Sequence, residues 1–273
     1  MSKTHAMGLT LIFLVPAVLV FVFYLPSDFK ELLVLRSDSL NVLTFFTSHF
    51  VHEDFANHLL PNMLVYLATA LLLYGFLSML NERRLFYRLF AFNCLAMPFI
   101  LSLIWIAVCK LWSWNTRSLG FSGIASAFLG ALVFAYALFL HKTLKVDTFY
   151  AYMSSILLPA LIFVLTYFTP TTIIATTTIL LIATFIPLGY KTIKSVDPQA
   201  KNQFKERSKN PTTIIIVDLL PYFLYLIILI FSLSLFPAQI VQGNTTVNIF
   251  IHYTGFVLGI GTAQLIWRIH HKA

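Results

Sequence analysis

Three short polar patches interrupt a chain that otherwise carries little charge. His49-Phe50-Val51-His52 is followed by Asn57-His58-Leu59-Leu60-Pro61-Asn62. Further along come Gly120-Phe121-Ser122-Gly123, and then His252-Tyr253-Thr254-Gly255 continuing to Gly259. A serine hydroxyl is a poor nucleophile unless a nearby base accepts its proton, and histidine has the pKa for that task. Ser122 with His252 could therefore perform nucleophilic catalysis, with His58 and Asn62 as accompanying polar groups. The run His49, His52, Glu53 reads His-x-x-His-Glu, the wrong order for a zinc helix of the His-Glu-x-x-His type, so no metal is expected.

These residues have to be positioned inside lipid. The composition, 59% hydrophobic and 10% charged, with a mean hydropathy of +0.86, does not fit a water-soluble globule. Apolar runs of about 20 residues span a ~30 Å hydrocarbon core as helices. Such runs fall at 8–25, 57–80, 88–110, 120–140, 149–168, 171–190, 213–236 and 246–267, which predicts an all-α polytopic protein of about eight spans in a single domain, 1–273. Thr169-Pro170 marks one boundary, and Phe236-Pro237 with Gln242-Gly243-Asn244 marks another.

Against those spans, Ser122 opens the fourth, His58 and Asn62 open the second, and His252 lies about six residues, ~9 Å, into the eighth. All three patches sit at the outer ends of their helices, so one layer receives a serine, two histidines and an amide. Gly120 frees the turn before the serine, and Gly123 removes a side chain beside it. Gly123, Ser126, Ala127 and Gly130 give the serine helix a small-residue stripe, while Gly255 and Gly259 form a GxxxG on the histidine helix. Close approach of these two helices is what a Ser122–His252 hydrogen bond requires.

Fourteen of the 18 Lys and Arg residues fall on one side of this topology if the N-terminus is inside; only Lys30, Arg36, Lys110 and Arg117 fall outside. The positive-inside rule then places both termini and the basic loop 191–212 in the cytoplasm, in a protein of the cell membrane. The net charge of +8 sits at helix ends and in that loop without interleaved aromatics, which points to anionic lipid and not to nucleic acid. Cys94 and Cys109 provide neither a disulfide framework nor metal spacing. No internal repeat or pair of broken helices suggests a transporter. No cofactor motif is present.

His58-x-x-x-Asn62, Gly120-Phe121-Ser122-Gly123 and His252-x-x-Gly255-x-x-x-Gly259, in this order and at these helix ends, resemble the rhomboid intramembrane serine proteases. The preceding His49 and His52 and the Glu82-Arg83-Arg84 that closes the second span are similar to family features as well. The resemblance covers roughly 8–140 and 213–267. It implies a six-helix core with about two extra spans between the serine and histidine helices. It also implies that Ser122 attacks a substrate carbonyl, that His252 takes and returns the proton, and that the Ser122 N–H, His58 and Asn62 hold the oxyanion. Substrates would be transmembrane segments of membrane proteins, cut near their outer end. Ser126 stands where the family often has an aromatic residue, and the first outer loop lacks a Trp-Arg pair. His49 and His52 are expected to brace that loop. The alternative is a silent rhomboid-like protein that binds transmembrane helices without cutting them.

Overall fold

The structure is a computed structural model that describes residues 3–147, 187, 190–191, 194–207, 241–242, 245–246 and 249–272. These residues are mostly helical, as the long apolar runs predict. Among the described residues, four helical stretches are long and apolar enough to cross a membrane: His5–Phe23, Phe55–Met79, Arg83–Leu111 and Ser122–Leu144. They correspond to the first four spans read from hydropathy. The spans read at 149–168, 171–190 and 213–236 lie outside the described residues apart from Pro187 and Tyr190. The chain forms two compact units, one of residues 1–132 with 240–273 and one of residues 133–239.

In chain order the first unit holds α1 (Lys3–Phe23), α2 (Ser27–Glu31), β1 (Leu35–Arg36), α3 (Thr44–Thr47), α4 (Leu60–Met79), α5 (Arg83–Ala91), α6 (Met97–Leu111), β2 (Arg117–Ser118) and the start of α7 (Ser122–Leu144). The second unit holds the rest of α7 and α8 (Pro198–Arg207). A two-stranded ribbon, β3 (Val241–Gln242) with β4 (Thr245–Thr246), then leads into α9 (Ile249–Lys272) in the first unit. The segment 191–212, expected to be a loop, thus contains a helix. Asp197 starts it by accepting the Gln199 N–H at 2.9 Å, and Pro198 takes the first position, where no N–H is needed.

The third span starts earlier than its hydropathy suggested, because Arg83 and Arg84 belong to the helix. α5 is amphipathic: Leu85, Phe86, Leu89 and Phe90 are buried while Arg84 and Arg88 are exposed. The turn between α4 and α5 is a Schellman motif. Asn81 adopts φ 60, the Asn81 N–H reaches the Ser78 carbonyl at 3.1 Å, and the Glu82 N–H reaches that of Leu77 at 2.6 Å. α6 ends the same way around Ser113 at φ 53, with the Trp114 N–H on the Cys109 carbonyl at 2.8 Å.

Prolines inside membrane helices leave carbonyls without a donor. Pro16 in α1 deprives the Ile12 carbonyl of its helical partner, and the Tyr66 hydroxyl of α4 donates to that oxygen at 3.2 Å. Pro61 and Pro98 are accommodated differently. Each sits at the second position of its helix behind a wide π turn, Phe55–Leu59 before α4 and Phe92–Ala96 before α6. A wide turn moves the preceding carbonyls away from the proline ring.

α7 is apolar on every side, and Ile124, Ala125, Ala127, Phe128, Leu129, Ala131 and Leu132 are fully buried. Its small-residue stripe meets α9 backbone to backbone. A Cβ on Gly255 would fall on the Gly123 carbonyl, one on Gly259 on the Ala127 carbonyl, and one on Gly130 on the Phe256 carbonyl. Gly261, on another face of α9, has nothing within 4 Å of an added Cβ. Gly259→Ala is therefore expected to lower the thermal unfolding midpoint in detergent, since overpacking against a backbone costs ~1–3 kcal/mol or more. Gly261→Ala should leave the midpoint unchanged or raise it, because alanine is the better helix former. Equal midpoints for the two variants would refute the close crossing.

Candidate functional site

The polar patches converge at one end of the first unit. The starts of α4, α7 and α9 lie together there, connected by the loop 24–54 and the segment 112–121. That segment enters α7 under restraint. β1 and β2 pair antiparallel, Leu35 with Ser118 and Arg36 with Arg117. Ser37 Oγ accepts the Thr116 N–H and donates to the Trp114 carbonyl, both at 2.9 Å. Arg117 donates to Glu31 and, at 3.0 Å, to Glu53. The Gly120 N–H bonds the Ser48 carbonyl at 3.0 Å.

Gly120 has φ +111, a conformation that favours glycine, and there is a second reason for it. A Cβ at this position would come within 2.7 Å of His58 Nε2. The bare backbone of Gly120 thus lets the His58 ring lie against the turn that enters Ser122. His58 itself is set by the π turn before Pro61. Asp54 caps that turn, its carboxylate accepting the backbone and side-chain N–H groups of Asn57 at 2.9 Å each. Those two bonds, the backbone one first, hold the Asp54 pKa below the usual carboxylate range.

His52 is the hub, and it is fully buried. Its Nδ1 faces the Phe50 carbonyl at 3.3 Å. Its Nε2 faces two donors, the Phe121 N–H at 3.2 Å and the Asn62 amide Nδ2 at 3.3 Å. A neutral ring with its proton on Nδ1 satisfies all three contacts; an imidazolium would set a donor against two donors. The His52 and His58 rings meet edge to face at 4.7 Å. Burial, and secondarily the neighbouring His58, push the His52 pKa down to about 3. His49 is also buried, with Nε2 at 3.0 Å from the Pro98 carbonyl and 3.1 Å from Ser102 Oγ, which itself donates to the Phe45 carbonyl at 2.8 Å. Burial lowers its pKa to about 4, against the opposing effect of the carbonyls of Pro98 and Gly120.

Both histidines brace the loop, as expected from sequence, but His52 does more. It ties Asn62 on α4 to the peptide next to Ser122. That role was not legible in the residue spacing; the available signal was a third histidine between His49 and His58 with Asn62 four residues beyond. Asn62 keeps one amide hydrogen after bonding His52. Among the described residues no three His, Cys, Asp or Glu side chains converge as a metal site.

Ser122 and His252 are both buried, at 7% and 5% exposure, and so they face protein and not open lipid. Ser122 is the first residue of α7, where backbone N–H groups have no intrahelical acceptor. The Phe121 carbonyl opens the helical ladder by accepting the Ala125 N–H at 2.9 Å. Ser126, at the position where an aromatic was absent, donates its hydroxyl to the Ser122 carbonyl at 2.8 Å. His252 lies in the first turn of α9, between Ile251, whose side chain would touch a Cβ on Gly123, and Gly255, which abuts the Gly123 carbonyl. Serine and histidine therefore stand on helices whose backbones are in contact, one residue from the contact point on α7. All eight residues singled out by sequence, Ser122, His252, His58, Asn62, Gly120, Gly123, Gly255 and Gly259, belong to this cluster or to the crossing beneath it.

The protonation states set the acid response. The folded pKa values of His49 and His52 lie below the unfolded value of about 6.5. Below that pH the unfolded chain binds a proton at each that the folded chain refuses. Stability is thus fully present above about pH 6.5, falls as pH drops, and stops falling through each residue below about pH 4 and about pH 3 respectively. The thermal midpoint in detergent, followed from pH 7.5 to 4, should decline, and more gently by one proton in His52→Gln, whose amide oxygen can still accept. An identical slope in that variant would show that His52 is not a buried neutral group.

No family model, no curated protein and no solved structure matches this chain.

Proposed function

We propose that this protein is an intramembrane serine endopeptidase of the rhomboid type, with Ser122 as nucleophile and His252 as general base. The observation that supports this reading is the backbone contact of α7 and α9 at Gly123 and Gly255. It spaces the two helices so that side chains one residue away on α7 and three residues away on α9 can meet. A small-residue seam alone is common in membrane helices. A seam that joins a buried serine to a buried histidine, beside a loop held by two further histidines, is not accounted for by packing.

In this mechanism the Ser122 hydroxyl attacks a peptide carbonyl of a transmembrane substrate while His252 accepts its proton. His252 then protonates the departing amine, leaving an acyl group on Ser122. Water, deprotonated by His252, attacks the ester and releases the carboxylic acid and free Ser122. The oxyanion is met by the first-turn N–H of Ser122, which has no intrahelical acceptor, by the remaining amide hydrogen of Asn62 and by His58. The positive end of the α7 dipole favours the same charge. His52 keeps the Asn62 amide and the Phe121 peptide in register for that task. The site faces the outer side of the cell membrane, with both termini cytoplasmic and about eight spans in all, and cleavage falls near the outer end of the substrate helix.

A mechanism-based serine-hydrolase probe should label the detergent-purified full chain at Ser122, and labelling should vanish in Ser122→Ala and in His252→Ala. Folded protein that labels nowhere and leaves model transmembrane substrates intact would support the silent helix-binding alternative and reject the enzyme. Full-rate labelling in His252→Ala would reject the dyad.

Asn62→Ala should lower kcat by ~10²–10³, the usual cost of one lost oxyanion donor, with far-UV circular dichroism unchanged. Wild-type turnover in that variant would remove Asn62 from the site.

A further inference from the structure

Asn93 sits in the π turn Phe92–Ala96, inside the helical stretch Arg83–Leu111 that is long and apolar enough to cross a membrane. It is fully buried, and among the described residues neither its Nδ2 nor its Oδ1 has a hydrogen-bond partner. Its neighbours on the same helix face, Leu89, Phe90 and Met97, are buried and apolar. A carboxamide kept from water and from partners in such a place is costly, because lipid cannot hydrogen-bond it.

A second polar group lies in the same turn. The Met97 N–H closes the π turn on the Phe92 carbonyl. Pro98 follows and brings no N–H, so the next carbonyl in the ladder, that of Asn93 or Cys94, loses its donor. At Pro16 the chain answers the same deficit with the Tyr66 hydroxyl on the freed carbonyl of Ile12. At Pro98 no described side chain does so. The Asn93 amide belongs to the same turn, yet it donates to no carbonyl there.

We propose that the Asn93 side chain and the main-chain carbonyl freed by Pro98 form a water-binding site buried within this membrane-spanning helix. One water accepts from Nδ2–H and donates to the freed carbonyl, and its second hydrogen or a second water serves Oδ1. Two to four polar partners are what a buried water requires. An asparagine confined in an apolar wall with a carbonyl beside it presents that number, and water is the ligand small enough for a turn lined by buried side chains. The site lies ten residues from Arg83 and eighteen from Leu111, far from Ser122. It does not depend on the protease reading.

The test is proton-detected solid-state NMR on the full chain, ¹⁵N-labelled and reconstituted in phosphatidylcholine vesicles. Magnetisation from water should transfer to the Asn93 Nδ2 protons at short mixing time, and Asn93→Leu, which assigns the signal, should lose that cross-peak. Pro98→Ala returns an N–H to the ladder and should weaken the cross-peak while leaving the Asn93 amide signal present. A resolved Asn93 amide with no transfer from water, or with transfer only from another protein group, overturns the site. A cross-peak unchanged in Pro98→Ala overturns the role of the freed carbonyl.

Discussion

The contact between the backbones of α7 and α9 is the constraint on which the rest of the candidate site depends. In lipid, burying apolar side chains between helices offers no advantage over leaving them in hydrocarbon, so helices associate through close van der Waals contact and polar bonds. Gly123, Gly130, Gly255 and Gly259 supply that contact by removing every side chain that would keep the two axes apart. The seam runs down from the site, and it has a rigid consequence. Once Gly255 rests on the Gly123 carbonyl, Ser122 and His252 have no freedom to separate without taking a helix with them. Residues some 130 positions apart in the sequence thereby stand on touching backbones.

The prolines show how the helical backbone of the apolar stretches deals locally with a missing N–H. A tyrosine hydroxyl from α4 repairs the gap at Pro16. Wide turns move the preceding carbonyls away from the rings of Pro61 and Pro98, and polar groups of the candidate site lie beside both: His58 before Pro61, and the Pro98 carbonyl against His49. Helix irregularity in this protein is thus concentrated where polar side chains are held.

The loop that enters Ser122 is held by two kinds of interaction of unequal weight. Arg117 bridges Glu31 and Glu53, but these groups are 40–51% exposed, and exposed ion pairs are worth about 0–1 kcal/mol. The bonds to His52 are buried, and breaking one leaves a desolvated donor behind, which costs about 1–3 kcal/mol. His52 therefore dominates over the surface charges in fixing the Phe121 peptide and the Asn62 amide. Its neutrality is the condition for this, since a proton on Nε2 would turn a shared acceptor into a donor.

Hydropathy by itself determined the helical, membrane-spanning character of the chain and the positions of the first four spans, because that signal needs only local composition. Residue type and spacing also identified the serine, the histidines, the amide and the glycines of the crossing, since polar groups and GxxxG patterns stand out in an apolar run. Tertiary structure decided what those residues do to one another. Nothing in the spacing of His52 indicates that it bonds Asn62 ten residues on and Phe121 sixty-nine residues on. Nor does composition show that Gly120 is bare because His58 lies against it, that Tyr66 serves a carbonyl in α1, or that Arg83 and Arg84 start a helix and do not end a loop. The physical reason is the same in each case. Burial and hydrogen bonding are pairwise properties of groups far apart in the chain, whereas hydropathy and periodicity are properties of one segment at a time.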